Sequence, residues 1–146
     1  MLCLDEESSI KMASKFAGAS GVLLAMQQHP QEPEVQASAC GVLSSLAFSK
    51  EVQLFIVREG GVKAVTEAMV NHRFSDSVVF KACRALCNLS FEAGGVQRQI
   101  AEEGGISEIV RAMSSFMTST QVLAEGSGAL CNLAADNSEN WRQIVK

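Results

Sequence analysis

Ala85-Leu86-Cys87-Asn88-Leu89-Ser90 returns as Ala129-Leu130-Cys131-Asn132-Leu133-Ala134, so that position 85 is answered at 129, a step of 44 residues. The flanks keep the step: Gly60-Gly61-Val62 matches Gly104-Gly105-Ile106, Ala68-Met69 matches Ala112-Met113, and Arg98-Gln99-Ile100 matches Arg142-Gln143-Ile144. A more divergent copy lies upstream at a step of 43, where Ala25-Met26-Gln27-Gln28-His29 precedes Ala68-Met69-Val70-Asn71-His72. In the same copy Val42-Leu43-Ser44-Ser45-Leu46 precedes Ala85 to Leu89. A fixed period in this range belongs to stacked supersecondary units, each of which buries its apolar faces only against its neighbours.

Within the complete middle copy the apolar spacing predicts three helices. Lys50 to Glu59 carries Val52, Phe55 and Ile56 on one side and halts at Gly60-Gly61, where glycine can supply the left-handed residue of a sharp turn. Val62, Val65 and Met69 form the face of a second helix. After a polar turn, with Ser75 or Asp76 as the cap, Val78, Ala82, Ala85, Leu86 and Leu89 make the stripe of a longer third helix. The last copy repeats this with Ile106, Ile109 and Met113, then Val122, Gly126, Ala129, Leu130 and Leu133. The first copy offers Val22 and Met26, then Val35, Ala39, Val42, Leu43 and Leu46, with Ser8 to Phe16 as its opening helix. The whole chain, 1–146, therefore reads as one all-α repeat domain: units at about 6–48, 49–92 and 93–136, and the first helix of a fourth at about 137–146. That last helix predicts a longer array, with an uncapped apolar end near Trp141, Ile144 and Val145 through which the chain could self-associate.

Composition narrows the function classes. The 146 residues are 47% apolar with a formal net charge of −4 and no block of five or six like charges, which argues against a nucleic-acid arm or a membrane-surface patch. Apolar runs fall well short of the roughly 18 residues needed to span a bilayer. The opening Met1-Leu2-Cys3-Leu4-Asp5-Glu6-Glu7 lacks the cationic start of a secretory signal, and an odd count of five cysteines suits a reducing compartment, so the cytosol or nucleus is expected. Cys83 and Cys87 stand four apart on one helix, a spacing open to two metal ligands, but no further ligands fall nearby and small buried residues are the simpler reading. His29 and His72 follow second helices and read as C-terminal caps. Gly60-Gly61 and Gly104-Gly105 follow helices rather than strands, with no Lys-Ser or Lys-Thr behind them, so they are not phosphate cradles. Gly126-Ser127-Gly128 lies within a helix and marks close helix packing. No catalytic constellation, cofactor motif or metal set emerges.

The period, the Gly-Gly breaks and a long helix ending in Ala-Leu-x-Asn-Leu-Ser resemble the armadillo repeat over nearly the whole chain. HEAT repeats share the period but are usually two-helix units without that ending. The resemblance implies a right-handed α-solenoid of three-helix armadillo repeats and a non-enzymatic scaffold. Its third helices would line a concave groove for an extended peptide of a partner protein. In that family the third-helix Asn grips the ligand backbone; the matching positions are Asn88 and Asn132, with Ser45 in the first unit. One carboxamide can serve both a donor and an acceptor of an extended chain. Alternatively Asn88 and Asn132 brace neighbouring helices.

Members that import nuclear cargo carry Trp four residues before the Asn. Here those positions are Gly41, Arg84 and Gly128, which argues against a receptor for basic localisation signals. Lys81 and Glu125 lie one turn earlier, and Ser49, Glu92 and Asp136 one turn beyond the Asn positions. Lys81 and Arg84 then predict an acidic or phosphorylated ligand residue at the centre, with acid toward the third unit at Glu92 and Asp136. A second function class is a regulatory array that docks a folded partner for a larger signalling enzyme or GTPase regulator. An RNA-binding solenoid is disfavoured by the acidic balance and the lack of aromatic stacking positions.

Overall fold

The computed structural model describes residues 6–135 and 137–146, and among them the chain is all-α, without a strand. Its helices are α1 (Glu6–Gln28), α2 (Pro33–Leu46), α3 (Lys50–Arg58), α4 (Gly61–Asn71), α5 (Asp76–Ser90), α6 (Gly94–Glu102), α7 (Gly105–Ser115), α8 (Thr120–Ala134) and α9 (Ser138–Ile144). The long helices α2, α5 and α8 lie side by side, with α5 packed extensively against both of the others. Helices α4 and α7 pack against the same stack from their own units.

Local sequence accounts for each of these helices. Ser75 accepts the N–H of Val78 at 3.3 Å and Ser119 that of Val122 at 3.3 Å, capping α5 and α8 at equivalent positions. Behind those caps Val78, Ala82, Ala85, Leu86 and Leu89 are fully buried, as are Val122, Ala129 and Leu133. The stripe is rich in Ala, Cys and Gly because neighbouring third helices approach closely. Between units, a Cβ on Gly128 would lie 3.2 Å from Cys87 Sγ on α5; within the unit, one on Gly126 would lie 2.7 Å from Met113 Cγ on α7.

One expected core residue is not in the core. Val42 is 42% exposed, whereas its equivalents Ala85 and Ala129 are fully buried. The stripe Lys81, Ala85, Asn88 faces α2, where Lys81 runs beside Gly41 and Asn88 bonds Ser44. The matching stripe on α8 faces α5 through Glu125 and Asn132. Among the described residues no third helix precedes α2, so its matching stripe, Val42 and Ser45, stays open.

The joints between first and second helices explain another departure. Gly60 and Gly104 sit at φ +87° and +82°, in the left-handed region, and the residues after them leave no room for a side chain. A Cβ on Gly61 would collide with Ile56 Cγ2 and lie 2.7 Å from its carbonyl oxygen; Gly105 stands in the same relation to Ile100. One step earlier the pair reads Ala17-Gly18. Alanine resists the left-handed turn, and the expected break in the first unit does not occur. Residues 6–28 form one uninterrupted helix, anchored on α3 by an edge-to-face contact of Phe16 and Phe55 with centroids 4.9 Å apart.

Two further details differ from capping by charge. His72 closes α4, but its Nε2 donates at 2.8 Å to Pro30 O in the loop of the preceding unit. Gln36 Nε2 ties the end of α1 to α2, donating to Met26 O at 3.0 Å and His29 O at 2.9 Å. Trp141 and Val145 are exposed at the α9 end, and Ile144 packs partly against the core.

Gly60→Ala is expected to lower stability by about 1–2 kcal/mol through the left-handed backbone, and Gly61→Ala by more, because its methyl meets a backbone carbonyl. Ala17→Gly, inside the continuous α1, should cost about 1 kcal/mol through lost helix propensity. Urea midpoints would check the order; a Gly61→Ala variant as stable as wild type would refute the packing account.

Candidate functional site

Asn88 and Asn132 occupy the last turns of α5 and α8, each facing the third helix of the preceding unit. Asn88 Nδ2 donates to Ser44 O at 3.0 Å and Ser44 Oγ at 2.9 Å. Asn132 Nδ2 donates to Cys87 O at 2.9 Å, with Cys87 Sγ at 3.6 Å. Both amide nitrogens are therefore braces between units. Among the described residues no protein donor reaches either Oδ1, which leaves one acceptor per unit available at the surface. Ser45, the first-unit counterpart, is exposed and has no earlier helix to bond; its hydroxyl donates back to Gly41 O at 3.2 Å.

A cavity of about 360 Å³ lies between these carboxamides, walled by Phe48, Cys87, Phe91 and Glu92. Phe48 and Phe91 are one repeat step apart, each just past the end of a third helix, and are 83% and 58% exposed. They went unnoticed in the sequence because the expected aromatic position was four residues before the Asn, not three after it. The step that aligns Asn88 with the first copy also aligns Phe91 with Phe48, and that was the signal available.

The expected charged residues divide. Lys81 lies about two turns before Asn88, roughly 10 Å along the axis, with its stem beside Gly41. Arg84 is held by its neighbours: Nε donates to Glu125 Oε1 at 2.9 Å, and the guanidinium lies 4.6 Å from the centre of the Phe80 ring. Glu92 does line the cavity, in a left-handed turn at φ +50°, and its carbonyl accepts from Lys50 Nζ at 2.6 Å. Asp136 lies outside the described residues, as does Cys3.

Glutamine side chains organise the same surface and were missed. Gln53 Nε2 is directed at three carbonyls at the end of α5: Asn88 O at 2.9 Å, Leu89 O at 2.9 Å and Phe91 O at 3.0 Å. These are carbonyls that a helix end leaves without intrahelical partners. Gln97 stands one step of 44 later, which the repeat alignment could have revealed. It borders a larger cavity of about 1010 Å³ with Phe91, Glu92, Arg98, Asn132 and Glu139.

The thiols along this stack differ in environment. Burial pushes Cys40 and Cys83 up to about 12, helped by the Cys83 thiol beside Cys40 and by Glu125 near Cys83. Cys87 is half-buried and raised by burial, Glu125 and Cys131; Cys131 is exposed rather than packed. Among the described residues no three His, Cys, Asp or Glu side chains gather to hold a metal ion, and no helix is long and apolar enough to cross a membrane.

The chain is 33% identical over 94 residues to Protein aardvark of Dictyostelium discoideum, a match covering 58% of this chain and 12% of that protein. The chain thus matches a small part of that relative's length. No family model matches the chain, and no solved structure matches it significantly.

Among the described thiols, iodoacetamide at pH 8 should modify Cys131 first and reach Cys40 and Cys83 only after unfolding. Their folded values lie above the ordinary 9.0, so their contribution to stability is complete below pH 9 and is lost as pH rises toward 12. Urea midpoints should therefore fall across that window; a midpoint flat from pH 9 to 11 would contradict the burial of these thiols.

Proposed function

We propose that this chain is an armadillo-type repeat array, part of a longer right-handed α-solenoid, and acts as a non-enzymatic protein-interaction scaffold in a cytosolic or nuclear setting. Its ligand is an extended peptide segment of a partner protein, lying across α2, α5 and α8. The observation that carries this reading is the half-used carboxamide of Asn88 and Asn132. In each, Nδ2 is fixed by a carbonyl of the preceding third helix, while Oδ1 has no protein donor among the described residues. The brace holds the acceptor in place before any ligand arrives, and such preorganisation lowers the cost of binding. The two Asn readings considered from sequence thus describe the two ends of one group. The ladder offers acceptors only, so it takes peptide N–H groups and leaves the peptide's carbonyls to other side chains. Phe48 and Phe91 wall the space between the two Asn residues and suit an apolar side chain of the ligand better than a charged one.

A second reading, docking of a folded partner as the regulatory module of a larger signalling enzyme or GTPase regulator, draws support from the other end of the chain. Val110, Met117, Trp141 and Val145 are exposed there, and Val110 and Met117 line an apolar cleft with Leu123 and Leu130.

Peptides selected from a displayed random library against this chain should bind at micromolar affinity or tighter. The Asn88→Ala/Asn132→Ala double variant should bind them at least about tenfold more weakly, from roughly 1 kcal/mol per lost hydrogen bond. Circular dichroism must show the variant folded, since each Asn also braces two helices. Equal binding by the folded variant would remove the Asn ladder and favour the folded-partner reading.

A further inference from the structure

We infer that Gln97 forms a subsite for a peptide bond of the ligand, in the cavity where the start of α6 meets the end of α8 and the start of α9; this rests on the peptide-binding reading above. Gln97 is 8% exposed and borders that cavity, yet its carboxamide has no partner among the described residues. Its repeat equivalent shows what the position ordinarily does. Gln53 spends its amide on the carbonyls that end α5, among them Leu89 O at 2.9 Å.

In the next unit the carbonyl equivalent to Leu89 O is Leu133 O, and it is already taken. Asn140 of α9 donates Nδ2 to Leu133 O at 2.9 Å and to Gln97 O at 3.2 Å. Asn140 is itself buried and held by the N-terminal turn of α9, where its backbone N–H bonds Asn137 Oδ1 at 3.0 Å. The capping task has passed from the glutamine to this asparagine, and Gln97 is released into a cavity roughly three times the size of the one beside Gln53.

The chemistry of the occupant follows from the groups on the wall. A carboxamide presents one donor face and one acceptor face, matching the C=O and N–H of a peptide unit. The rim sets one guanidinium, Arg98, against two carboxylates, Glu92 and Glu139, a balance that disfavours an anion. Asn132 borders the same cavity and adds the free Oδ1 acceptor. A neutral amide pairs with a largely buried carboxamide without bringing a charge out of water. In this unit Gln97 supplies the donor for a peptide carbonyl that the Asn ladder lacks.

The test uses the whole chain and a peptide selected from a displayed random library, resynthesised with each backbone amide replaced in turn by an ester. With wild type, one ester near the third unit should weaken binding about fivefold. With Gln97→Leu the same ester should cost nothing further, while the melting temperature stays at or above that of wild type, because no intramolecular bond is lost. In unmutated protein the Gln97 side-chain 15N–1H signals should shift on saturation with the peptide. If Gln97→Leu binds all peptides as wild type does, or the Gln97 signals stay in place, the subsite is overturned; loss of binding in Asn132→Ala would then show that the Asn ladder still stands. If Gln97→Leu melts markedly lower, Gln97 is a structural brace and the inference also fails. If a folded wild-type sample selects no peptide, both readings fall together.

Discussion

The stack depends on how closely α2, α5 and α8 lie beside one another. Gly128 limits that distance between α5 and α8, since a Cβ there would lie 3.2 Å from Cys87 Sγ, and Ala85 and Ala129 are fully buried. At that spacing a short Asn side chain reaches the carbonyl of the next helix, at 3.0 Å from Asn88 to Ser44 and 2.9 Å from Asn132 to Cys87. A bulkier stripe would push the helices apart and leave each Nδ2 without its partner. The same approach brings Arg84 Nε to Glu125 Oε1 at 2.9 Å, an ion pair between neighbouring helices. Packing, bracing and surface charge are thus one arrangement.

The joints show the same economy. A left-handed Gly and a second Gly without room for a methyl turn the chain between α3 and α4, and again between α6 and α7. Each pair does two different jobs, one of backbone conformation and one of clearance, so neither glycine substitutes for the other. Where the first of the pair is Ala17, the helix runs through, and the first unit presents one long helix in place of two.

Carboxamides carry the polar work throughout. Gln36, Gln53, Asn88, Asn132 and Asn140 all donate to backbone carbonyls of a neighbouring helix or loop. Neutral amides do this without the desolvation cost of buried charge. Gln97, the repeat equivalent of Gln53, departs from this pattern: it is 8% exposed and its carboxamide has no partner among the described residues. On the proposed reading the surface grades from a braced acceptor ladder with aromatic walls at Phe48 and Phe91 to a more open, mixed-charge end beside α9.

Periodicity alone determined much of this protein. The step of 43 or 44 residues located the third helices, their buried stripes in the second and third units and the Gly-Gly turns, because each depends on neighbours within a few residues or on the repeat itself. It also placed Asn88 and Asn132 at equivalent points. It could not say which end of each carboxamide was spent, since that depends on a carbonyl 44 or 45 residues away in sequence. Val42 left the core, Arg84 paired with Glu125, and Ser45 bonded its own helix for a related reason: a position in a stack acquires its meaning from the unit beside it, and the three stacked units do not have the same neighbours. Gln53 and Gln97 share a repeat position and nearly a sequence context, yet one caps a helix and the other faces a cavity. Only the tertiary structure separates them, because the deciding atom belongs to Asn140, on another helix.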